Sequence, residues 1–431
     1  MRWSIFLLVA VLVAACEPSS ELAVPDVVVP TTDVAAPDVS AEPDGVDAME
    51  SPETLSPPSC KPAPVLVHES DPDTTFRRGP YLQSVMDDSA VVVWMDAADG
   101  GDGCVDYAVD GGESQTVCAQ PDGRGQYAIT MDGLRPDATV TYSARVGELV
   151  AGPFTFHGAP ANEHAVKLLV FADAHANSEV LGSISHAALV EGVHMAVGVG
   201  DLVDQPEEDQ WDGFFEGLRA LGHRVCFWPV IGNHERRHSS YFHHFVVPEA
   251  GPPVPPEYFY TARVGQVWFA SMHIDDWTAY AVSQGTIESP GVAYLREAIQ
   301  SDEAQSARWR LLFIHQPPWS FGWDSCDGYE GESTLREYLL PFAAEYGVAA
   351  MFFGHMHGYE RGLVDGVTLV TTGGAGGALD HPCTHEGTWP EPWIAIYEHH
   401  YTIVDADCDS LTVTARDLTG ETLDQFFISA P

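Results

Sequence analysis

The chain has 431 residues, with 63 Asp and Glu against 19 Lys and Arg, and a formal charge of −44. That length allows two or three domains at about 100–200 residues each, and an apolar content of 45% excludes a wholly disordered chain. The charge excludes nucleic-acid binding by phosphate neutralisation and attraction of the protein body to an anionic membrane.

Taken in chain order, the first element is an apolar run, Trp3 to Ala15, behind Arg2. It is too short to span a bilayer as a helix, which takes about 20 residues, and reads as a signal peptide over residues 1–15. Its end, Val13-Ala14-Ala15-Cys16, resembles the bacterial lipoprotein lipobox. The resemblance implies lipidation of Cys16 and an anchor in a bacterial membrane, at the outer membrane or cell surface. The alternative is an ordinary secretory peptide giving a periplasmic or secreted protein, and both readings export the chain. Residues 17 to 75 hold 13 acids, one Lys and 11 Pro. Such a stretch buries too little apolar surface to offset its ordering entropy, so 16–75 is expected to be an acidic, Pro-rich, disordered tether.

From Phe76 short alternating runs recur, at Ala90 to Trp94, Cys104 to Ala108, Gln126 to Ile129 and Val140 to Ala144, with Gly, Asp and Pro clusters between them. Period-two runs at this spacing predict an antiparallel β-sandwich over 76–160. From about residue 165 buried apolar runs alternate with helical stretches. Val292, Leu295 and Ile299 share one helical face, as do Leu335, Leu339 and Phe342, with Pro341 expected to bend or end that helix. Late strands follow at Tyr401 to Val404, Leu411 to Ala415 and Gln425 to Ile428. The fold expected for 165–431 is an α/β domain, a β-sandwich flanked by helices.

Five apolar runs of this region each end in polar side chains. Lys167 to Ala172 leads to Asp173 and His175, Met195 to Val199 to Asp201, and Val225 to Ile231 to Asn233-His234-Glu235. Leu311 to Ile314 leads to His315, and Val348 to Phe353 to His355 and His357. Sites on α/β sheets form where loops leave the carboxyl ends of strands, and a carboxylate–imidazole mixture suits Zn, Fe or Mn. Glycines before Asp201, Asn233 and His355 are expected to turn the backbone sharply. One such motif alone says little; five in order point to a metal site.

The order DxH, GDxxD, GNHE, H, GHxH resembles the calcineurin-like metallophosphoesterase superfamily. Gly358-Tyr359-Glu360-Arg361, the Gly373 to Gly377 loop, and the Arg78-Gly79-Pro80-Tyr81-Leu82-Gln83 and Leu134-Arg135-Pro136 segments resemble purple acid phosphatases, whose catalytic domain follows a fibronectin type III-like domain. A carbohydrate- or protein-binding sandwich is the alternative for 76–160. The resemblance implies two metal ions, divalent or trivalent. Asp173, His175, Asp201 and His357 would hold one, and Asp201, Asn233, His315 and His355 the other. It further implies a metal-bridging hydroxide as nucleophile and His234 as the catalytic group facing the leaving oxygen. Glu235 and Arg361 read as a loop brace or an ion pair, and Tyr359 as packing.

Two departures stand out. Asp173-Ala174-His175 replaces DxG, and Asp204 ends the segment where purple acid phosphatases place the tyrosine that colours their iron. A competent site without the purple band is expected, with Asp204 orienting a ligand or a water. The loop Gln316 to Glu332 lacks the extra histidines of those enzymes and offers Trp319, Trp323, Asp324 and Asp327. His381 and His385 are candidates to replace them. The implied activity is acid-phosphatase-like hydrolysis of a small phosphate ester, primarily a monoester. The alternatives are a phosphodiesterase or nucleotidase on the same metals, and a catalytically silent surface-binding protein. The sequence sets no oligomeric state. Among the eight cysteines, Cys104 with Cys118 and Cys326 with Cys383 are candidate disulfides, leaving Cys60, Cys226 and Cys408 with at least one free thiol if Cys16 is lipidated.

Overall fold

The computed structural model describes residues 60–65, 76–96, 101–235, 237–251, 257–274, 289–326, 328–383, 390 and 393–430. Cys16, Asp327, His385, the signal segment and most of the tether lie outside the described residues. Residues 60–65, read as tether, belong to the fold instead. Strand β1 (Lys61–Pro62) pairs in parallel with His164 and Ala165, and Cys60 is disulfide-bonded to Cys408.

The first layer pair consists of β2 (Arg78–Gln83), β3 (Ser89–Met95), β4 (Gly103–Val109), β5 (Gln115–Ala119), β6 (Gln126–Asp132), β7 (Thr139–Val146) and β8 (Leu149–His157). They form two antiparallel sheets, β2-β3-β6 and β5-β4-β7-β8. Alternation explains the arrangement: in β7, Val140, Tyr142, Ala144 and Val146 are buried while Thr139 and Thr141 face solvent. Trp94 and Tyr127 stack at 4.8 Å in the shared core. The pair Cys104–Cys118 joins facing positions of β4 and β5.

The remainder runs β9 (His164–Phe171), α1 (Ser178–Glu191), β10 (Met195–Val199), α2 (Glu208–Gly222), β11 (Cys226–Val230), α3 (Ser239–His244), β12 (Phe259–Val264) and β13 (Val267–Met272). It continues with α4 (Pro290–Ile299), α5 (Asp302–Ser306), β14 (Trp309–Ile314), a π-helical turn (Leu335–Leu339), α6 (Leu340–Glu345), β15 (Ala350–Phe353), β16 (Tyr359–Val364) and β17 (Val367–Thr372). Strands β18 (Trp393–Ile396), β19 (His400–Ala406), β20 (Ser410–Asp417) and β21 (Thr422–Ser429) close the chain. One sheet has the order β11-β10-β9-β19-β20-β21, with β1 on β9; the other is β12-β13-β14-β15-β17-β16-β18.

Buried residues of both sheets, Val170, Val197 and Trp228 with Phe269, Phe313 and Phe352, share one core. Helices α1 and α2 cover the first sheet through Leu181, Ile184, Trp211, Phe214 and Leu218. Helix α4 covers the second through Val292, Leu295 and Ile299. Burying each large apolar side chain contributes about 1.5–3 kcal/mol, so these stripes hold the helices in place. Local signals set the helix ends. The Asn177 side chain caps α1, whose C-terminus closes on Gly192 at φ 71°. Ser289 caps α4, with Pro290 at its first position. Pro341 does not end its helix; it falls where the π-helical turn passes into α6.

The small sandwich is fastened to the α/β layers by a buried cation. The Arg78 side chain donates to Asp212 at 2.6 Å and Glu208 at 2.8 Å, and lies 3.1 Å from His244 Nε2. Tyr81 donates to the His244 carbonyl at 2.6 Å. No helix among the described residues is long and apolar enough to cross a membrane. Three disulfides fit an oxidising compartment. Cys226 is buried and free, its thiol pushed up to about 12 by desolvation.

Candidate metal centre

Parallel strands β9, β10 and β11 of one sheet, and β14 and β15 of the other, finish on one side of the molecule. Their loops bring together all the residues picked out by spacing. The Asp201 carboxylate lies 3.0 Å from His315 Nε2 and 3.9 Å from His234 Nε2. Asp173 lies 3.5 Å from His357 Nε2 and 4.0 Å from His315 Nε2. Asn233 Oδ1 is 3.1 Å from His315 Nε2. The His175 ring sits 4.7 Å from those of both His234 and His357, and the His355 ring 5.2 Å from that of His315.

Backbone contacts aim these groups. His315 Nδ1 donates to the Val199 carbonyl at 2.8 Å and His357 Nδ1 to the Ala378 carbonyl at 2.7 Å, leaving both Nε2 atoms toward the carboxylates. The His355 amide donates to both oxygens of Asp173, at 3.1 and 2.9 Å. Glu235 is the brace: its carboxylate accepts from the amides of Asp201, Leu202 and Gly232, at 3.1, 2.8 and 2.6 Å, tying two donor loops together. Burial raises its pKa to about 7. Arg361 is an ion pair with Asp424 at 2.6 Å, and Tyr359 is buried.

The glycines act differently from the sequence expectation. Only Gly200 has a left-handed φ, 84°. Gly232 is needed for space, since a Cβ there would sit 2.2 Å from Asp201 Oδ1. The left-handed backbone falls largely on the donors themselves: Asp173 at 59°, His175 at 46°, Asp201 at 50° and His355 at 71°. Each such position costs about 1–3 kcal/mol, and nothing in the residue spacing signals it.

Two fully buried carboxylates sit side by side here. Desolvation lifts the Asp173 carboxyl well above its ordinary range. Desolvation also acts on Asp201, but the charge and hydrogen bond of His315 outweigh it and hold Asp201 low. His315 is raised to about 10: burial opposes its charge, and the attraction of Asp201 and Asp173 overcomes it. Burial lowers His175 to about 4 and His355 to about 3, keeping both rings neutral with one nitrogen lone pair free for coordination. His175 Nε2 is buried with no hydrogen-bond partner. Two buried carboxylates, the neutral His175 and His355 rings and an unpartnered nitrogen fit metal cations, and the donors suffice for two ions such as Fe and Zn.

A cleft of about 410 Å³ opens on this centre, lined by His175, Asp201, Asp204, Asn233, His234 and Trp323, and further by Asp324, His355, His357, Ala378, Leu379 and Asp380. Asp204 addresses His234: its carbonyl is 2.8 Å and its carboxylate 3.2 Å from His234 Nδ1, and the carboxylate is 3.5 Å from His175 Nδ1. His381 turns elsewhere, its Nδ1 3.6 Å from Cys326 Sγ at the Cys326–Cys383 bridge. Trp319 packs on Trp393 at 6.4 Å and is not among the lining residues. Asp380 escapes the motif reading. It accepts the His357 amide at 2.7 Å, and the sequence hint is only that it follows the Gly-rich loop.

Residues 166–359 match the family described as calcineurin-like phosphoesterase. Purple acid phosphatase 23 of Arabidopsis thaliana is 27% identical over 164 residues, covering 36% of this chain and 33% of the relative. A nucleotide pyrophosphatase/phosphodiesterase of Hordeum vulgare is 23% identical over 299 residues, covering 58% of this chain and 79% of that protein. Purple acid phosphatase PPD1 from yellow lupin seeds superposes with a TM-score of 0.70 at 17% identity, over 83% of this chain and 75% of that one. The alignment thus spans only a third of the Arabidopsis enzyme. Residues 166–359 thus match a calcineurin-like phosphoesterase domain, and the chain is similar to the purple acid phosphatases.

Proposed function

We propose that this chain is an exported, dinuclear metal-dependent hydrolase of small phosphate esters. The observation that carries the reading is the convergence of Asp173, His175, Asp201, Asn233, His315, His355 and His357 beside His234 in one cleft. Asp173, His175, Asp201 and His357 would hold one ion and Asp201, Asn233, His315 and His355 the second. When bound, such a pair would supply Lewis-acid polarisation of phosphoryl oxygens and activation of a water nucleophile at neutral pH.

The chain's own part is positioning and proton transfer. With its Nδ1 turned to the Asp204 carbonyl and carboxylate, His234 presents Nε2 toward Asp201 and the cleft. A proton on that nitrogen goes to the leaving oxygen as the ester bond breaks, and the Asp204 charge compensates the imidazolium before transfer. Glu235 keeps the Asp201 and Asn233 loops in register. Asp204 in place of the tyrosine gives a centre without a tyrosinate-to-iron band, so active protein is expected to be free of purple colour. Residues 76–160 are read as a fibronectin type III-like domain preceding the catalytic domain of 165–431, behind a lipid anchor at Cys16.

A diesterase reading has one specific support: among the described residues no Lys or Arg lines the cleft, whereas Asp204, Asp324 and Asp380 do, an arrangement kinder to a singly charged diester than to a monoester dianion. Elemental analysis beside rates on p-nitrophenyl phosphate and its bis-ester separates the two. Asp201→Asn is expected to lower bound metal and rate together. His234→Ala should lower kcat at least 100-fold with metal retained; loss of metal in that variant would sink the role given to His234.

A further inference from the structure

Setting the proposed metal donors and the His234–Asp204 pair aside, the described residues of the cleft leave one aromatic ring, Trp323, and two carboxylates, Asp324 and Asp380, alongside Ala378 and Leu379. The loops carrying them are locked together. Cys326 and Cys383 are disulfide-bonded, the Trp323 amide donates to the His381 carbonyl at 3.1 Å, and the Cys383 amide donates to the Phe321 carbonyl at 3.0 Å. Gly322 and Pro382 form a further β-bridge. The Trp323 ring is held in turn, 4.5 Å from Tyr329 and 4.9 Å from His355. This rim is built in advance of any substrate and presents a partly exposed indole beside negative charge.

An aromatic face next to carboxylates is the arrangement that receives an ammonium group: the ring quadrupole and the carboxylates attract the same charge. It repels a second phosphate charge. A rim meant only to admit water or a plain monoester gains nothing from Asp324 there, and Asp380 holds the His357 amide through one oxygen only. We infer that the cleft takes a phosphodiester whose one substituent ends in a choline-type quaternary ammonium, received by Trp323, Asp324 and Asp380 while the phosphate faces the metal donors. The inference rests on the hydrolase reading and narrows its substrate class. In the reaction water forms the new P–O bond, the bond to the departing alcohol breaks, and that oxygen takes its proton from His234. The products are an alcohol and a monoester.

The test compares p-nitrophenyl phosphocholine with p-nitrophenyl 3,3-dimethylbutyl phosphate, which has the same shape, reacting bond and leaving group but no cation. For metal-loaded full-length protein, kcat/KM is expected to be at least tenfold higher for the cationic ester, mainly through KM. Asp324→Asn should cut that ratio at least threefold and Asp324→Glu restore it. Asp365→Asn, in the turn between β16 and β17, should leave the ratio as it is. Equal kcat/KM for the two esters overturns the inference while leaving the hydrolase reading intact. Hydrolysis of p-nitrophenyl phosphate with none of the diesters cleaved also overturns the inference and leaves the hydrolase reading intact. If the monoester, these esters and bis-p-nitrophenyl phosphate all resist, the hydrolase reading falls. Calorimetric titration with the same two esters then decides the inference: tenfold tighter binding of the cationic one supports it, and equal binding overturns it.

Discussion

Asp204 shows how one side chain can be placed by sequence yet explained only by structure. Its position in Gly200-Asp201-Leu202-Val203-Asp204 marks it as belonging to the site, but spacing says nothing of which group it serves. The fold turns its carboxylate to His234 at 3.2 Å and to His175 at 3.5 Å. Asp204→Asn keeps the shape and removes the charge opposing an imidazolium. We expect kcat to fall about 10–100-fold with bound metal unchanged, the usual scale for a group that orients and charges another. Rates and elemental analysis on the same preparation check it, and a variant as fast as wild type would remove Asp204 from the proton-transfer arrangement. The seven donors were legible because each follows an apolar run ending in a short polar cluster. Asp380 was not, because it acts on the His357 amide from a loop 23 residues away.

At the scale of elements, the loop bearing Trp323 and Asp324 is held from beneath by a buried carboxyl. Glu360, at the start of β16, accepts from the Phe321 and Gly322 amides at 2.8 and 3.0 Å. Burial, set against those two donors, raises it from 4.5 to about 8. The unfolded chain releases this proton near pH 4.5 and the native protein only near 8, so between those values the folded state binds more protons. The stability from this group is therefore complete below pH 4.5 and lost as pH rises through 8. Glu360→Gln retains an acceptor for the two amides and abolishes the titration. Its thermal midpoint should match wild type near pH 5 and exceed it by a few degrees at pH 8.5. Midpoints running parallel from pH 5 to 9 would show that Glu360 does not titrate in that range. The motif Gly358-Tyr359-Glu360-Arg361 was visible in the sequence, and this use of it was not. Whole elements divide the same way. Helix α4 and strand β7 follow the periodicity read from the sequence, whereas β5 does not: its residues are almost all exposed, so they carry no alternation to read.

The whole molecule carries its charge unevenly. Residues 17 to 75 hold 13 of the acids, and 76 to 431 still have 50 against 17 bases. An acidic body holding metal cations in the proposed cleft would set small esters apart from polyanions, which would be repelled along its acidic faces. Self-repulsion of this size also works against compactness, so cross-links matter. The Cys60–Cys408 bridge joins residues 348 apart, and Cys104–Cys118 joins residues 14 apart. If disulfides act chiefly by restricting the unfolded chain, the long loop contributes about 6 kcal/mol and the short one about 3. The double variant Cys60→Ser/Cys408→Ser should then lose more stability to denaturant than Cys104→Ser/Cys118→Ser, with activity retained in both because neither bridge touches the cleft. The opposite order would mean that β1 contributes little once released and that the Cys104–Cys118 hairpin carries the greater share. In that case residues 60–65 are fastened to the fold by the bridge without helping to stabilise it.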